Sequence, residues 1–244
     1  MKLYRILAAL ALALAASSGA QAIPLSTLLS GGSIQAGDKL FDNWSTPIFS
    51  ASDANRSFNA ANIDVTALND GGLTPGPGLK FTVSNGELSV AGNDIYASID
   101  LTFGFRASVL ASGLGINGST QAFGPGGAYW LILSDGSNNS GSSISEKMGT
   151  ALNLEDLGKE LIEFSVLDSV GSPASQQTSS ANFAPRNSVW VTNNIMVWSA
   201  DVGDSAGLYN FEQRFSQTSV PEPGTLWLLG LAFVGMSLSK VRRH

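Results

Sequence analysis

Residues 95–109 read IYASIDLTFGFRASV, and this stretch decides the fold. An apolar side chain stands at every second position, while the intervening positions carry mostly Ser, Asp, Thr and Arg. This period of two predicts a long β-strand with one face in a core and the other toward solvent. Gly104 interrupts the polar face, and we expect the strand to bend or bulge there.

Short apolar runs separated by turn residues surround this strand. The dipeptide Asn85-Gly86 predicts a tight hairpin between 79–84 and 87–90. The stretches 117–127, 135–142 and 169–187 are predicted to be loops, and 154–160 a turn or short helix leading into a strand at Leu161. Further strands are predicted at 39–44, 63–68, 128–133 (a central strand), 143–148, 188–199 and 208–216. The pattern predicts an all-β fold, a single antiparallel β-sandwich of jelly-roll or immunoglobulin-like type.

The first 22 residues have the organisation of a secretory signal peptide. Lys2 and Arg5 form a basic region, 6–16 is apolar, and Ala20-Gln21-Ala22 supplies the small residues of a cleavage site. The apolar run is too short for a membrane-spanning helix. We therefore expect a helical signal at 1–22 and a mature chain that starts at Ile23.

Composition excludes several classes of function. The region 23–219 holds eight Lys or Arg residues against 18 Asp or Glu, so we expect it to repel phosphate backbones and to bind no nucleic acid. The chain has no cysteine, and its one histidine is His244. A body without these residues offers neither a thiol nucleophile nor a His-based catalytic triad or zinc site, and we expect no cofactor.

The residues from Val220 onward have a different character. Pro221, Glu222 and Pro223 precede the apolar run 226–238, and a basic cluster, residues 240–243, follows it. As a helix the apolar run would cover about 20 Å, which is short of the roughly 30 Å of bilayer hydrocarbon. The basic side chains could reach the headgroup layer and would remain cytoplasmic. A short C-terminal hydrophobic helix that serves as a membrane anchor is one interpretation.

The combination resembles the PEP-CTERM sorting signal of Gram-negative bacteria. The resemblance covers about a tenth of the chain, and its motif is Pro221, Glu222 and Pro223 followed by Gly224-Thr225, a glycine-interrupted apolar segment and the basic cluster. It implies that exosortase, a membrane-embedded transpeptidase-like enzyme, recognises Pro221, Glu222 and Pro223 and processes the tail. It also implies an inner-membrane intermediate and a mature protein at the cell surface or in the extracellular matrix of bacteria that make extracellular polysaccharide.

The chain therefore divides into a signal peptide (1–22), a β-sandwich domain (23–219) and a sorting tail (220–244). The leading hypothesis is an exported, non-enzymatic surface or matrix protein. Exosortase and the inner membrane are its expected partners before processing, and extracellular polysaccharide is a further candidate partner.

A lectin-like module that binds extracellular polysaccharide is the first alternative. Aromatic rings stack on sugars, and the candidates in the body are Trp44, Trp130, Trp190, Trp198 and Tyr96. Rings side by side on one concave face would favour this hypothesis.

A histidine-free glycan hydrolase is the second alternative, because it needs only two carboxylates about 5–10 Å apart. Asp100, Glu163 and Glu212 are candidates on or beside predicted strands. Calcium would need clustered oxygen ligands, for which the Asp-bearing turns 69–70, 135–139 and 201–204 are the candidates, although none matches an EF-hand loop.

Overall fold

A computed structural model describes residues 21–92, 96–124, 129–133, 139–167, 174–200 and 202–220. The predicted signal helix (1–22), apart from its last two residues, and the predicted tail helix lie outside the described residues. No helix within the described ranges combines the length and the apolar character needed to span a membrane.

The described chain is nearly all β, with antiparallel sheets in a sandwich-like arrangement. One face of the sandwich is an eight-stranded sheet. Its order is β13-β12-β11-β15-β8-β3-β2, and β4 pairs with β8 beyond the end of β3. The strands are β2 (Ile34–Ala36), β3 (Lys39–Asp42), β4 (Ile48–Ala51), β8 (Ala97–Val109), β11 (Asn139–Gly149), β12 (Gly158–Leu167), β13 (Ala174–Gln176) and β15 (Ser188–Ser199).

The opposite face is a six-stranded sheet of order β1-β5-β6-β17-β9-β14. Its strands are β1 (Ile23–Pro24), β5 (Ile63–Leu68), β6 (Gly78–Val83), β9 (Leu114–Phe123), β14 (Thr178–Arg186) and β17 (Asn210–Ser219). A three-stranded sheet of order β10-β16-β7 comprises β10 (Tyr129–Ile132), β16 (Ser205–Leu208) and β7 (Ser89–Ala91). The one α-helix in the described ranges, α1 (Leu25–Leu29), follows β1 directly. These sheets confirm the antiparallel sandwich, while the jelly-roll or immunoglobulin-like type stays a prediction.

β8 lies inside the eight-stranded sheet, as its alternating sequence predicts. Ile99, Leu101, Phe103, Phe105 and Ala107 are buried on its inner face. Of the expected bend or bulge at Gly104, the bulge is wrong, because the register with β15 runs unbroken through the pair Thr192–Gly104, while the bend stays a prediction. A Cβ at Gly104 would lie 2.5 Å from Leu152 Cδ1 and 2.6 Å from the Val191 carbonyl oxygen, so close packing requires glycine there.

Aromatic rings join the two large sheets. Phe105 of β8 packs against Phe81 of β6 and Phe215 of β17, with ring centroids 6.4 and 6.3 Å apart. Trp44 follows β3 and packs 4.8 Å from Phe105. Phe41 of β3 lies 5.5 Å from Phe215, so each sheet contributes rings to one continuous cluster. We call Phe41, Trp44, Phe81, Phe103, Phe105, Phe211 and Phe215 the aromatic cluster.

The predicted hairpin at Asn85-Gly86 is wrong in its pairing. Both residues have the expected positive φ, 54° and 65°, but β6 pairs with β5 and β17, whereas β7 pairs with β16. The Arg56 guanidinium donates to the carbonyls of Gly86, Glu87 and Ser89 and so holds this segment in place after the turn.

Three predicted loops are wrong in whole or in part, because β9 fills most of 117–127, β11 begins at Asn139 within 135–142, and β14 fills the second half of 169–187. The predicted turn or helix before Leu161 is also shorter than expected, since β12 already begins at Gly158. The apolar run at 128–133 forms β10 at the edge of the small sheet and not a central strand. β9 and β14 escaped detection because small and polar side chains dominate both, so they lack the apolar alternation that marks a strand.

Removal of the Phe105 ring should destabilise the body strongly. Phe105→Ala deletes a fully buried side chain that contacts rings from both sheets, and we expect a loss of about 3–5 kcal/mol in the free energy of unfolding. Denaturant titration of the purified protein measures it. Leu110→Ala, at a leucine that is 52% exposed, is the control and should change stability by less than about 0.5 kcal/mol. Equal losses in the two variants would contradict the assignment of the cluster as the core.

Candidate functional site

The sequence-predicted aromatic residues do not share one face. Trp44 and Trp198 are each only 8% exposed, and Trp44 belongs to the aromatic cluster. Trp190 is half-buried on the outer face of β15, where it pairs across strands with Arg106. Trp130 and Tyr96 lie at the small sheet and at a cleft beside it.

The outer face of the small sheet carries the best aromatic arrangement. Trp130 of β10 pairs in register with Gly207 of β16, which pairs with Ser89 of β7. These three residues therefore lie side by side across the three strands. A Cβ at Gly207 would collide with the Trp130 ring, which therefore lies flat over the Gly207 backbone. The ring of Tyr209 is 6.4 Å from that of Trp130 and inclined by 36°.

This face is open to solvent at the described residues. Tyr209 is 48% exposed, and Ile132, two residues along β10 from Trp130 on the same face, is 58% exposed. The other side chains of the sheet point inward, and they are Tyr129, Leu131, Val90, Ala206 and Leu208. We call Trp130, Ile132, Ser205, Gly207, Tyr209, Ser89 and Ala91 the aromatic face. The sequence analysis missed Tyr209, because it took this residue for part of an alternating strand.

A cleft of about 390 Å³ borders the aromatic face at Ala91. Tyr96, Asp53 and Arg56 line it, and partial burial raises the pKa of the Tyr96 phenol. Neighbouring strands are about 4.8 Å apart, so Ala91 lies roughly 10 Å across the sheet from Ile132, with which it shares a register position through Ser205. The aromatic face and the cleft meet at Ala91.

A second open cleft of about 420 Å³ lies on the outer face of the eight-stranded sheet. Polar and basic side chains line it, including Asn194, Lys147 and Lys159. The Asn194 amide donates to Asp100 Oδ1 at 2.6 Å and to Thr102 Oγ1 at 2.9 Å, so its N–H donors are already engaged within the sheet. No aromatic ring lines this cleft.

The predicted hydrolase carboxylates are not brought together. Asp100 of β8 and Glu163 of β12 lie at the same register position on the outer face. Because β15 and β11 lie between these two strands, the residues are about 14 Å apart. Glu212 stands on the other sheet, 3.4 Å from Arg214. These separations do not fit a pair of glycosidase carboxylates.

A different carboxylate pair lies inside the sandwich. Glu146 of β11 and Glu160 of β12 are direct cross-strand partners, and both are almost completely buried. The Ser119 hydroxyl donates to Glu146 Oε1 at 3.0 Å and Gln213 Nε2 donates to Oε2 at 2.7 Å. The Ala181 N–H donates to Glu160 Oε1 at 2.9 Å. The sequence analysis did not select this pair, because nothing in the pattern shows that both carboxylates point inward.

Burial dominates the chemistry of this pair. Removal from water raises the pKa of Glu146 to about 7, and the hydrogen bonds from Ser119 and Gln213 oppose that rise. It raises the pKa of Glu160 to about 9, with further help from the nearby charge of Glu146. At neutral pH the pair therefore retains protons. Gln121, directly opposite Gln213 on the neighbouring strand, is fully buried with no hydrogen-bond partner for its side chain among the described residues.

The predicted calcium turns serve the fold where they are described. Asn69 Oδ1 accepts from the Gly37 N–H, and Asp70 pairs with Arg214 at 3.2 Å. Residues 135–138 and 201 lie outside the described residues. Within the described ranges no three Asp, Glu or His side chains are grouped as metal ligands.

The last strand leads directly to the predicted sorting tail. β17 ends at Ser219, and the Val220 N–H donates to the Gly113 carbonyl at 2.9 Å. Pro221, Glu222 and Pro223 come next and lie outside the described residues. The family model of the PEP-CTERM protein-sorting motif matches residues 219–243. The chain carries a PEP-CTERM sorting motif. This confirms the resemblance and includes Pro221, Glu222 and Pro223.

Solved structures show only distant similarity to this chain. TmCBM61 in complex with beta-1,4-galactotriose matches at 11% identity over 72% of this chain and 90% of that one, with a TM-score of 0.24. A carbohydrate-binding module of the beta-sandwich superfamily matches at 9% identity over 76% and 58%, with a TM-score of 0.25. The Trichoderma harzianum endoglucanase 3 matches at 8% identity over 71% and 98%, with a TM-score of 0.23. Similarities this weak carry no argument about ligand or activity, and no curated protein matches the chain.

The buried carboxylate pair should make stability fall as the pH rises. The unfolded glutamates lose their protons near pH 4.5, whereas the folded ones hold them up to about pH 7 and pH 9. Their stabilising contribution is thus complete below pH 4.5 and is lost toward pH 9. Glu160→Gln should flatten this decline in denaturant titrations at pH 5 to 9.

Glu163→Gln is the matched control, because Glu163 lies on the outer face of the same strand. It should leave the pH profile of the free energy of unfolding unchanged. A wild-type stability that rises steadily from pH 5 to pH 9, with Glu160→Gln making no difference, would refute the assignment of retained protons to the pair.

Proposed function

We propose that this PEP-CTERM protein is an exported, non-enzymatic component of the cell surface or extracellular matrix. The signal at 1–22 directs export, and the tail holds an inner-membrane intermediate through 226–238. Exosortase then acts at Pro221, Glu222 and Pro223 and releases the sandwich domain. The sorting motif at 219–243 is the observation that carries the proposal.

The position of the motif relative to the fold supports this order of events. Backbone pairing holds the chain as far as Val220, so Pro221 is covalently adjacent to the last residue fixed by the body. A folded domain would then stand directly at the membrane surface until the tail is processed. Within the described part of the chain, the buried apolar core is built from residues 25–215.

The non-enzymatic part of the proposal rests on the carboxylates. The candidate carboxylates Asp100, Glu163 and Glu212 are far apart or paired with other groups. The cross-strand pair Glu146 and Glu160 is buried between the sheets, where a polysaccharide chain would not reach it.

Carbohydrate binding is the second candidate function, and the aromatic face favours it. The apolar face of a sugar ring can stack on an indole or phenol, and serine hydroxyls beside the ring can hydrogen-bond to its hydroxyls. Trp130 and Tyr209 share their face of the small sheet with Ser89 and Ser205, and Gly207 lies between Trp130 and Ser89. The ligand class would be an extracellular polysaccharide with exposed apolar ring faces.

Replacement of the sorting triplet should abolish tail processing. In cells with an active exosortase, the wild-type protein should lose the apolar run 226–238, whereas a variant with Pro221, Glu222 and Pro223 replaced by alanine should retain it. Mass spectrometry of the C-terminal peptide distinguishes the two. Glu163→Gln serves as the control and should be processed normally. A wild-type protein that still carries 226–244 after export would contradict the proposal.

Loss of the aromatic rings should weaken polysaccharide binding. We expect Trp130→Ala and Tyr209→Ala each to reduce affinity for the polysaccharide of the producing cells by about tenfold, or about 1.4 kcal/mol. Affinity electrophoresis in gels that contain this polysaccharide measures the effect. Trp190→Ala is the tryptophan control and should bind like the wild type. If the wild-type protein migrates equally at every polysaccharide concentration, it does not bind this polysaccharide, and the carbohydrate-binding proposal is wrong.

A further inference from the structure

A lysine, a glutamine and an aspartate meet where the two large sheets face each other. Lys39 of β3 belongs to the eight-stranded sheet and Gln217 of β17 to the six-stranded one. The Lys39 amine lies 2.5 Å from Gln217 Oε1 and 3.1 Å from Asp38 Oδ1. Lys39 and Gln217 are 178 residues apart in sequence.

The amine is sealed from solvent. The side chain of Lys39 is 0% exposed, and Phe41, which faces inward from the same strand, packs on Phe215 beside it. Segment 73–77 closes the site, since Leu73 and Pro77 accept hydrogen bonds from the backbone of Gln217 and Phe215. A Cβ at Gly76 would lie 3.2 Å from the amine and collide with the Phe215 carbonyl, so glycine is what permits this approach.

Burial changes the chemistry of the amine. Removal from water lowers the pKa of Lys39, and the hydrogen bond and charge of Asp38 only partly oppose that change. A buried amine with a lowered pKa is neutral more often than a surface lysine, and only the neutral form is a nucleophile. Asp38 touches the same nitrogen and is placed to take its proton.

The amide carbon is also within reach. Gln217 Cδ is one carbon–oxygen bond from Oε1, about 1.2 Å, so it lies no more than about 3.7 Å from the amine. Reacting atoms in productive complexes are typically about 3–3.5 Å apart. A small rotation of either side chain would bring the nitrogen onto the carbonyl carbon.

We propose that Lys39 and Gln217 join through an intramolecular isopeptide bond, with Asp38 as the acid–base group. The Lys39 ammonium gives one proton to the Asp38 carboxylate, and the neutral amine attacks Gln217 Cδ. The Nζ–Cδ bond forms as the Cδ–Nε2 bond breaks. Nζ then loses a second proton. The leaving nitrogen takes up this proton and the one held by Asp38, so it departs as ammonium and the Asp38 carboxylate is restored. The exchange of one C–N bond for another needs no oxidant, metal or cofactor.

The bond would serve a chain that has no cysteine. It would fasten β3 to β17 and so tie the two sheets together at the strand that leads to Pro221. A link between residues so distant in sequence restricts the unfolded chain strongly, as a disulfide does in other exported proteins. This inference is independent of the sorting and carbohydrate proposals, because it concerns only the body.

Peptide mapping of the exported wild-type protein tests the bond. After digestion, mass spectrometry should find a branched peptide that joins the segments around Lys39 and Gln217 and is lighter by one ammonia than the two linear peptides together. Linear peptides with unmodified Lys39 and Gln217 as the sole products would overturn the proposal. A Gln217 that is hydrolysed to glutamate without a branch would overturn it as well.

Variants assign the roles of the residues. Lys39→Met and Gln217→Met remove a partner and should give no branched peptide, while Lys80→Met, at a lysine outside the site, should give as much as the wild type. Asp38→Asn keeps the size of the side chain and should leave a folded protein with little or no branched peptide. If it cross-links as completely as the wild type, Asp38 is not the acid–base group. The result on the wild type stands even if a variant fails to fold.

Discussion

The contact of Phe105 with rings from the opposite sheet is the interaction on which the structure depends. It brings β8, the strand with the clearest sequence pattern, against β6 and β17. The apolar surface that these rings remove from water favours the closure of one sheet over the other. The small sheet and the long connections are arranged around this closure, because their inner residues pack on the same core.

The interior is unevenly composed. Rings fill one half, while Glu146, Glu160, Gln121, Gln213 and Asn193 lie in the half beneath β11, β12 and β9. Buried polar groups are costly unless they are hydrogen-bonded, and most atoms of this network have partners. The carboxylates avoid part of the cost by retaining protons. Lys39 lies at the aromatic end, where burial lowers the pKa of its amine.

The functional features lie at three separate places. The sorting motif follows β17, the aromatic face covers the small sheet, and the Lys39–Gln217 contact connects the two large sheets. The sequence predicted the first in full, because a sorting signal is a linear motif read as a string of residues. Of the aromatic face it predicted only Trp130, since Tyr209 and Gly207 join that face through strand pairing. It did not indicate the Lys39–Gln217 contact, because residues 178 positions apart meet only in the folded chain.

By itself the sequence determined the all-β class, the strands β3, β5, β8 and β15, and the sorting motif. Apolar alternation and local motifs carry these features, and both depend on neighbours in the chain. Only the tertiary structure decided which strands pair, that β9 and β14 are strands at all, and which polar side chains point inward. The physical reason is that polar residues such as Ser119 and Gln121 are usually exposed, so their identity does not predict the burial that they have here. Their place is set by the strands and rings that pack around them.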